Sequence, residues 1–253
     1  NPFFSMVAHY INRALVNRGY RMLLCDTEYD TKEQEMVQMV AQNKVDGIIA
    51  LTYNPDLKIP PDVRSVSIDR YLSGSTTCVA SDNYNGGRLA AQKLVENGCK
   101  NLAFLRIGSP LTSETNKRRD GFVAECEAMQ LPCTQKILMD DAPLSEFEHF
   151  LEENLKDGRL AFDGIFCVTD KLAVAVIKML RRMGQRVPED VQVIGYDGLR
   201  AFGDQDYYCS TIIQPVEAMA ETCVDLVLQD SHANTPSLLC LPVRYAYGGT
   251  TKA

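Results

Sequence analysis

The sequence predicts an α/β protein made of two doubly wound, mostly parallel sheets. Two observations carry that prediction. Strand-like apolar runs and helix-like amphipathic runs alternate at roughly 25 to 30 residues per repeat, the rhythm of βαβ units. The rhythm is then broken twice. Between Asp69 and Asp82 strand-like residues continue with no helix, and after Pro215 one helix is followed by two short strands, Leu238–Leu241 and Val243–Tyr247. Those breaks complicate a single sheet and suit two lobes with the chain crossing between them. The length of 253 residues allows one large α/β domain or two smaller ones.

Taken in order, Asn1–Ser5 reads as a loop, and Met6, Val7, Tyr10, Ile11, Leu15 and Val16 recur at helical spacing before Gly19 stops the helix. Arg21–Asp26 reads as a strand. Thr31 and Gln34 have the spacing of a capping box opening a helix that carries Met36, Val37, Met39 and Val40. Strands follow at Gly47–Leu51, Val63–Asp69 and Val79–Asp82, then a helix over Tyr84–Asn97 and a strand over Leu102–Ile107. Gly108, Ser109 and Pro110 make a turn into a helix over Thr115–Met129, and Ile137–Met139 is a short strand. A helix over Leu144–Leu155 ends near Gly158, and Phe162–Val168 is a strand. Asp170 is expected to cap a helix over Lys171–Met183. Val191, Val193 and Ile194 form a buried strand ending in the glycine-flanked acid Asp197, where a parallel sheet presents polar groups to ligands. Cys209–Pro215 is a strand, and Pro215 opens the last helix, Val216–Leu228.

Composition narrows the function classes. A net charge of −7 argues against this chain gripping nucleic acid by itself, because phosphate binding needs a concentrated basic surface. No apolar run approaches the ~18 residues of a membrane span, and none reads as a signal peptide. The nine cysteines form no Cys-x-x-Cys pair, and several sit inside apolar runs, which suits reduced thiols in a cytoplasmic protein. Only three histidines occur, none near a cysteine, so no metal or cofactor is expected. Dinucleotide fingerprint, P-loop and nucleophile-elbow motifs are absent, which argues against an enzyme.

Several stretches resemble, in order, the effector-binding core of the LacI/GalR family of bacterial transcription regulators. They are Asn1-Pro-Phe-Phe4, Val45-Asp-Gly-Ile-Ile49, Asp82-Asn-Tyr-Asn-Gly-Gly87, Arg118-Arg-Asp-Gly-Phe122, Phe166–Ala173, Val187–Asp197 and Thr211–Pro215. Each is weak alone, but in series they span the chain. The resemblance implies a periplasmic-binding-protein-like fold of two lobes joined by three crossings, near Ser81, Gln214 and Leu241. The first lobe is expected at residues 1–82 plus 215–241, and the second at 83–213 plus 242–253. A small-molecule effector, sugar-like in chemistry, is expected in the cleft between lobes. The family's helix-turn-helix head, and a first central strand, are expected upstream of Asn1. The implied partners are therefore operator DNA through that head and a second copy in a homodimer, with no membrane. Effector binding would shift the population of lobe arrangements, and induction and corepression are both compatible with this. A transport-type periplasmic sugar-binding protein is the alternative.

Carried over position by position, the resemblance implies an apolar wall from Phe3 and Phe4, with a hydrophobic staple as their bland role. Asp69 and Thr52 end first-lobe strands, where turn capping is the bland role. From the second lobe come Arg118, Thr169, Asp197 and Gln214. Glu114, four residues before Arg118, would hold its guanidinium by an i,i+4 pair or touch the ligand. Asp141 stands where some relatives place a stacking aromatic, which favours a polyhydroxylated ligand over a flat one. The chemistry fits: a carboxylate accepts from two neighbouring hydroxyls, and a guanidinium fork donates to two. Tyr196 is expected to do no more than set the backbone that aims Asp197.

Overall fold

The computed structural model describes every residue except 1, 27–29, 43–44, 53, 55, 61, 73–75, 110, 201–205, 230–235 and 253, and omits the side chains of residues 30, 31, 39 and 41. The expected roles of Asn1, Pro110 and the Thr31 and Met39 side chains lie outside the described residues. The chain divides into two compact units. One comprises Asn1–Ser81, Leu111–Thr115 and Pro215–Pro242, the other Asp82–Pro110, Asn116–Gln214 and Val243–Ala253. Beyond the passages near residues 81, 214 and 242, residues 111–115 make a short excursion into the first unit. An antiparallel bridge between Arg70 and Ser113 and a bond from the Glu114 amide to the Asp69 carbonyl (3.2 Å) hold them there.

The first unit begins with α1 (Pro2–Asn17), which starts earlier than the loop expected over residues 1–5. Pro2 explains the difference, since its fixed φ suits the first helical turn and its missing amide would be unbonded there anyway. One face of α1 buries Phe3, Val7, Ile11, Ala14 and Leu15. It lies along α7 (Val216–Leu228), and Arg18 joins the two through Glu221 (2.6 Å) and Asp225 (2.7 Å). Helix α2 (Asp30–Gln42) starts a residue before Thr31. The side-chain amide of Gln34 bonds to the backbone of Lys58. It donates to the Lys58 carbonyl (2.9 Å) and accepts from the Lys58 amide (2.8 Å), fixing a loop.

Four parallel strands form this unit's sheet: β1 (Gly47–Ala50), β2 (Arg64–Ile68), β3 (Thr77–Ser81) and β11 (Leu238–Leu241), in the order β1-β2-β3-β11. Among the described residues no strand pairs with the outer edge of β1. Arg21–Asp26, expected as a strand, is not one, and Leu23 and Leu24 are exposed. A strand needs a neighbour to take its backbone bonds, and among the described residues none pairs with this stretch. An apolar-lined groove of 510 Å³ separates it from Val7, Ile11, Val37 and Ile48.

The second unit is built on a six-stranded sheet of order β12-β10-β9-β8-β4-β5. Its strands are β4 (Leu102–Ile107), β5 (Cys133–Leu138), β8 (Gly164–Cys167), β9 (Gln192–Asp197), β10 (Ser210–Ile213) and β12 (Arg244–Ala246). All neighbours are parallel except β12, which pairs antiparallel with β10. Central strands β8 and β9 are buried along their whole length, which explains the apolar runs Ile165–Cys167 and Val193–Ile194 within them. Helices α3 (Asn83–Glu96), α4 (Lys117–Ala128), α5 (Ser145–Glu153) and α6 (Asp170–Arg182) complete the unit, with a two-residue ribbon of β6 (Leu155–Lys156) and β7 (Arg159–Leu160). The rings of Phe104, Phe122 and Phe166 meet at centroid distances of 5.2 to 6.0 Å, and Tyr196 joins them at 6.4 Å from Phe166. Fully burying each such ring contributes about 1.5–3 kcal/mol. The rings are also the floor on which the polar cluster stands.

Candidate ligand-binding site

In the second unit the C-terminal ends of β9 and β10 and the first turns of α3 and α4 bring four polar side chains together, Asp197, Gln214, Asn83 and Arg118. Arg118, in the first turn of α4, is 3% exposed. Its Nε donates to Asn83 Oδ1 (2.7 Å) and its Nη1 to the Val168 carbonyl at the end of β8 (2.8 Å). Nη1 also stands 3.6 Å from Asp197 Oδ1. The guanidinium carbon lies 3.7 Å over the centre of the Tyr196 ring, a cation–π contact. Gln214 at the end of β10 donates from Nε2 to Asp197 Oδ1 (2.9 Å). Arg118, Asp197 and Gln214, all expected from the sequence, therefore touch one another or a shared neighbour. Two further members, Asn83 and Tyr196, were missed. Tyr196 does more than set the backbone, because its ring carries the guanidinium.

The Asp82–Gly87 stretch acquires a physical reading residue by residue. Asp82 caps α3 by accepting from the Asn85 amide (3.1 Å). Asn83 holds Arg118. A side chain at Gly86 would collide with the Tyr196 ring, and one at Gly87 with the Arg118 carbonyl. Across the same contact, a side chain at Gly121 of α4 would strike the Tyr84 carbonyl. Helices α3 and α4 thus touch backbone to backbone, and that approach brings Asn83 within reach of Arg118.

Thr169 is the cap of α6, its Oγ1 accepting from the Leu172 amide (3.2 Å). Asp170, expected in that role, is instead the first helical residue and is turned inward with 1% exposure. Asp141 sits in an exposed turn after the edge strand β5, and the structure does not bring it to the cluster.

The first unit holds the remaining expected residues. Phe3 is on the core-facing stripe of α1, while Phe4 beside it is exposed. Thr52 is buried, and its Oγ1 accepts from the Asn54 amide (2.9 Å), the bland turn role considered for it. Asp69 follows β2 with φ 56° and 4% exposure, and its carbonyl accepts from Arg70 Nη1 (3.1 Å). Glu114 is fully buried but lies in a 3-10 turn (Glu114–Asn116), with α4 starting only at Lys117. The continuous helix required for i,i+4 spacing between Glu114 and Arg118 is therefore absent.

The family described as a periplasmic binding protein-like domain matches residues 91–251. A sucrose operon repressor of Pediococcus pentosaceus is 34% identical over 99% of this chain and 78% of its own length. The ribose operon repressor of Bacillus subtilis is 30% identical over the whole of this chain and 78% of its own length. A solved periplasmic binding protein/LacI transcriptional regulator from Alkaliphilus metalliredigens, complexed with D-xylulofuranose, superposes with a TM-score of 0.83. It is 29% identical, and the match covers 100% of this chain and 96% of that one.

Proposed function

On the premise that the chain belongs to the LacI family of transcription regulators and carries its periplasmic-binding-protein-like core, we propose that it binds a sugar at the Arg118–Asp197–Gln214 cluster. The observation that carries this reading is the arrangement of the guanidinium. Two of its five N–H groups are spent on Asn83 and Val168, which fix its plane, and Tyr196 fixes its face. Nη2 has no hydrogen-bond partner among the described residues and serves as donor to a ligand hydroxyl. Asp197 Oδ1 is held by Gln214, so its carboxylate is aimed before the ligand arrives. A prepositioned donor beside a prepositioned acceptor suits adjacent hydroxyls on a sugar ring. Sugar-operon repressors among the relatives, and the pentulose in the similar structure, point to the same class.

Binding rather than turnover is the reading, since the cluster pairs no nucleophile with a base. Among the described residues no group of His, Cys, Asp or Glu is placed to hold a metal ion, and no helix is long and apolar enough to cross a membrane. In the full-length regulator, a homodimer, sugar binding would alter operator affinity. A thermal-shift panel of D-ribose, D-xylulose, sucrose and cellobiose tests the proposal. A ligand at ~100 times its dissociation constant adds about 2.7 kcal/mol to stability. No shift from any sugar at millimolar concentration would count against it. Operator binding by the full-length protein, with and without the active sugar, then gives the sign of the response.

A further inference from the structure

Asp170 has no part in the contacts described above. It lies at the start of α6, where Thr169 already does the capping, so its carboxylate is not needed there. That carboxylate instead reaches the turn after β9. Oδ2 accepts from the Leu199 amide at 2.7 Å, while the neighbouring Gly198 amide donates to Thr211 Oγ1 of β10 at 3.2 Å. On its other side, Oδ1 accepts from the Cys209 thiol at 3.5 Å. Gly195 lies directly beneath, and a methyl group there would occupy the position of Oδ1.

The turn it grips is a strained one. Asp197 has φ 129° and Gly198 φ 78°, the former in a region that residues with a side chain rarely adopt. Such a conformation costs of order 1–3 kcal/mol and persists only when the surroundings hold it. This conformation directs the Asp197 carboxylate to Gln214 and Arg118. We propose that Asp170 is a positioning residue for the sugar site: by holding the Leu199 amide, two residues after Asp197, it maintains the turn that aims the Asp197 carboxylate. The proposal rests on the sugar-binding reading for its consequence, though not for the grip itself.

The groups facing Asp170 explain why its charge matters. Burial is the largest influence on it and holds its pKa up at about 6, partly offset by the bonds from the Leu199 amide and the Cys209 thiol. The thiols of Cys209 on β10 and Cys167 on β8 are themselves pushed up by burial and stay protonated at neutral pH. They add no charge that would compensate when Asp170 takes up a proton. The grip on the turn should therefore loosen as pH falls through about 6.

Two measurements on wild type and Asp170→Asn test this. In amide NMR, the Leu199 resonance of wild type should titrate with a midpoint near pH 6, and that titration should vanish in the variant. A Leu199 amide with the same pH response in both proteins overturns the grip whether or not any sugar binds. Affinity is then measured for whichever of D-ribose, D-xylulose, sucrose and cellobiose shifts wild type most. Asp170→Asn should bind about tenfold more weakly at pH 7.5, and its affinity should be flat where that of wild type falls between pH 7.5 and 5.5. Equal affinity with the same pH profile in both proteins overturns the positioning role. A wild type that binds none of the four sugars counts against the sugar reading alone, and the Leu199 titration still decides the grip.

Discussion

Substituting Arg118 by alanine should do two separable things, and the structure sets the scale of each. A guanidinium whose only task was to touch ligand could be removed without thermal cost. This one is 3% exposed and serves Asn83, Val168, Asp197 and the Tyr196 ring together. Removing it breaks a buried ion pair with Asp197, a loss that costs about 3–5 kcal/mol. At about 2–4 °C per kcal/mol for a protein of this size, the ligand-free melting temperature should fall by about 6–20 °C. The sugar-dependent shift should disappear as well, because Nη2 is the proposed donor. Scanning fluorimetry with and without the active sugar reads both effects, and Arg118→Lys separates them. Lysine keeps the charge near Asp197 but lacks the planar fork, so it should recover part of the lost stability and little of the sugar shift. A melting temperature for Arg118→Ala within about 1 °C of wild type would refute the described integration. A surviving sugar shift would refute the site.

Three further outcomes are expected. Gly87→Ala, which drives a methyl group into the Arg118 carbonyl, should cost about 1–3 kcal/mol by forcing α3 and α4 apart and should weaken sugar binding too, measurable by urea unfolding and calorimetry. Asp170 has a folded-state pKa raised above its unfolded value, so its ionisation opposes folding. Between pH 4 and 6 the folded state holds the proton more tightly, and stability attributable to this group declines as pH rises through that window, by about 3 kcal/mol at most. Asp170→Asn should flatten that part of the stability–pH curve, and an unchanged curve would contradict the assignment. Finally, all nine cysteines are free thiols, with Cys25 and Cys240 exposed. A thiol reagent should label those two quickly in the native protein and reach nine only after denaturation.

The sequence read well wherever chemistry was periodic or punctuated. The buried strand ending at Asp197, the helix opened by Pro215 and the alternation of elements through the second unit follow from apolar runs and glycine or proline boundaries. It read poorly where a neighbour decided the outcome. Arg21–Asp26 has the composition of a strand, but strand formation depends on a partner edge that composition does not reveal. Gln34 had the spacing of a capping box, and a loop 24 residues later claimed its amide. In the site, charged and amide residues at strand ends were legible because that is where parallel sheets expose polar groups. Asn83 and Tyr196 were not, since each acts through Arg118 and only the backbone approach of α3 and α4 puts them beside it. The cap of α6 was misread by one residue, and that error hid Asp170's inward turn.

The glycine contacts between α3 and α4 have a mechanical consequence. At Gly87 and Gly121 the two backbones meet with no side chain between them to deform, so this end of the pair should move as one piece. Arg118 is fastened near one end of α4, and the pull of a ligand on its guanidinium would pass to α3 through the Asn83 bond and the backbone contact. The first turn of α3 begins at the Asp82 cap, and the preceding peptide, from Ser81 to Asp82, is one of those by which the chain leaves one unit for the other. A displacement of the arginine would therefore reach the start of α3 through a backbone contact, ahead of any side-chain repacking.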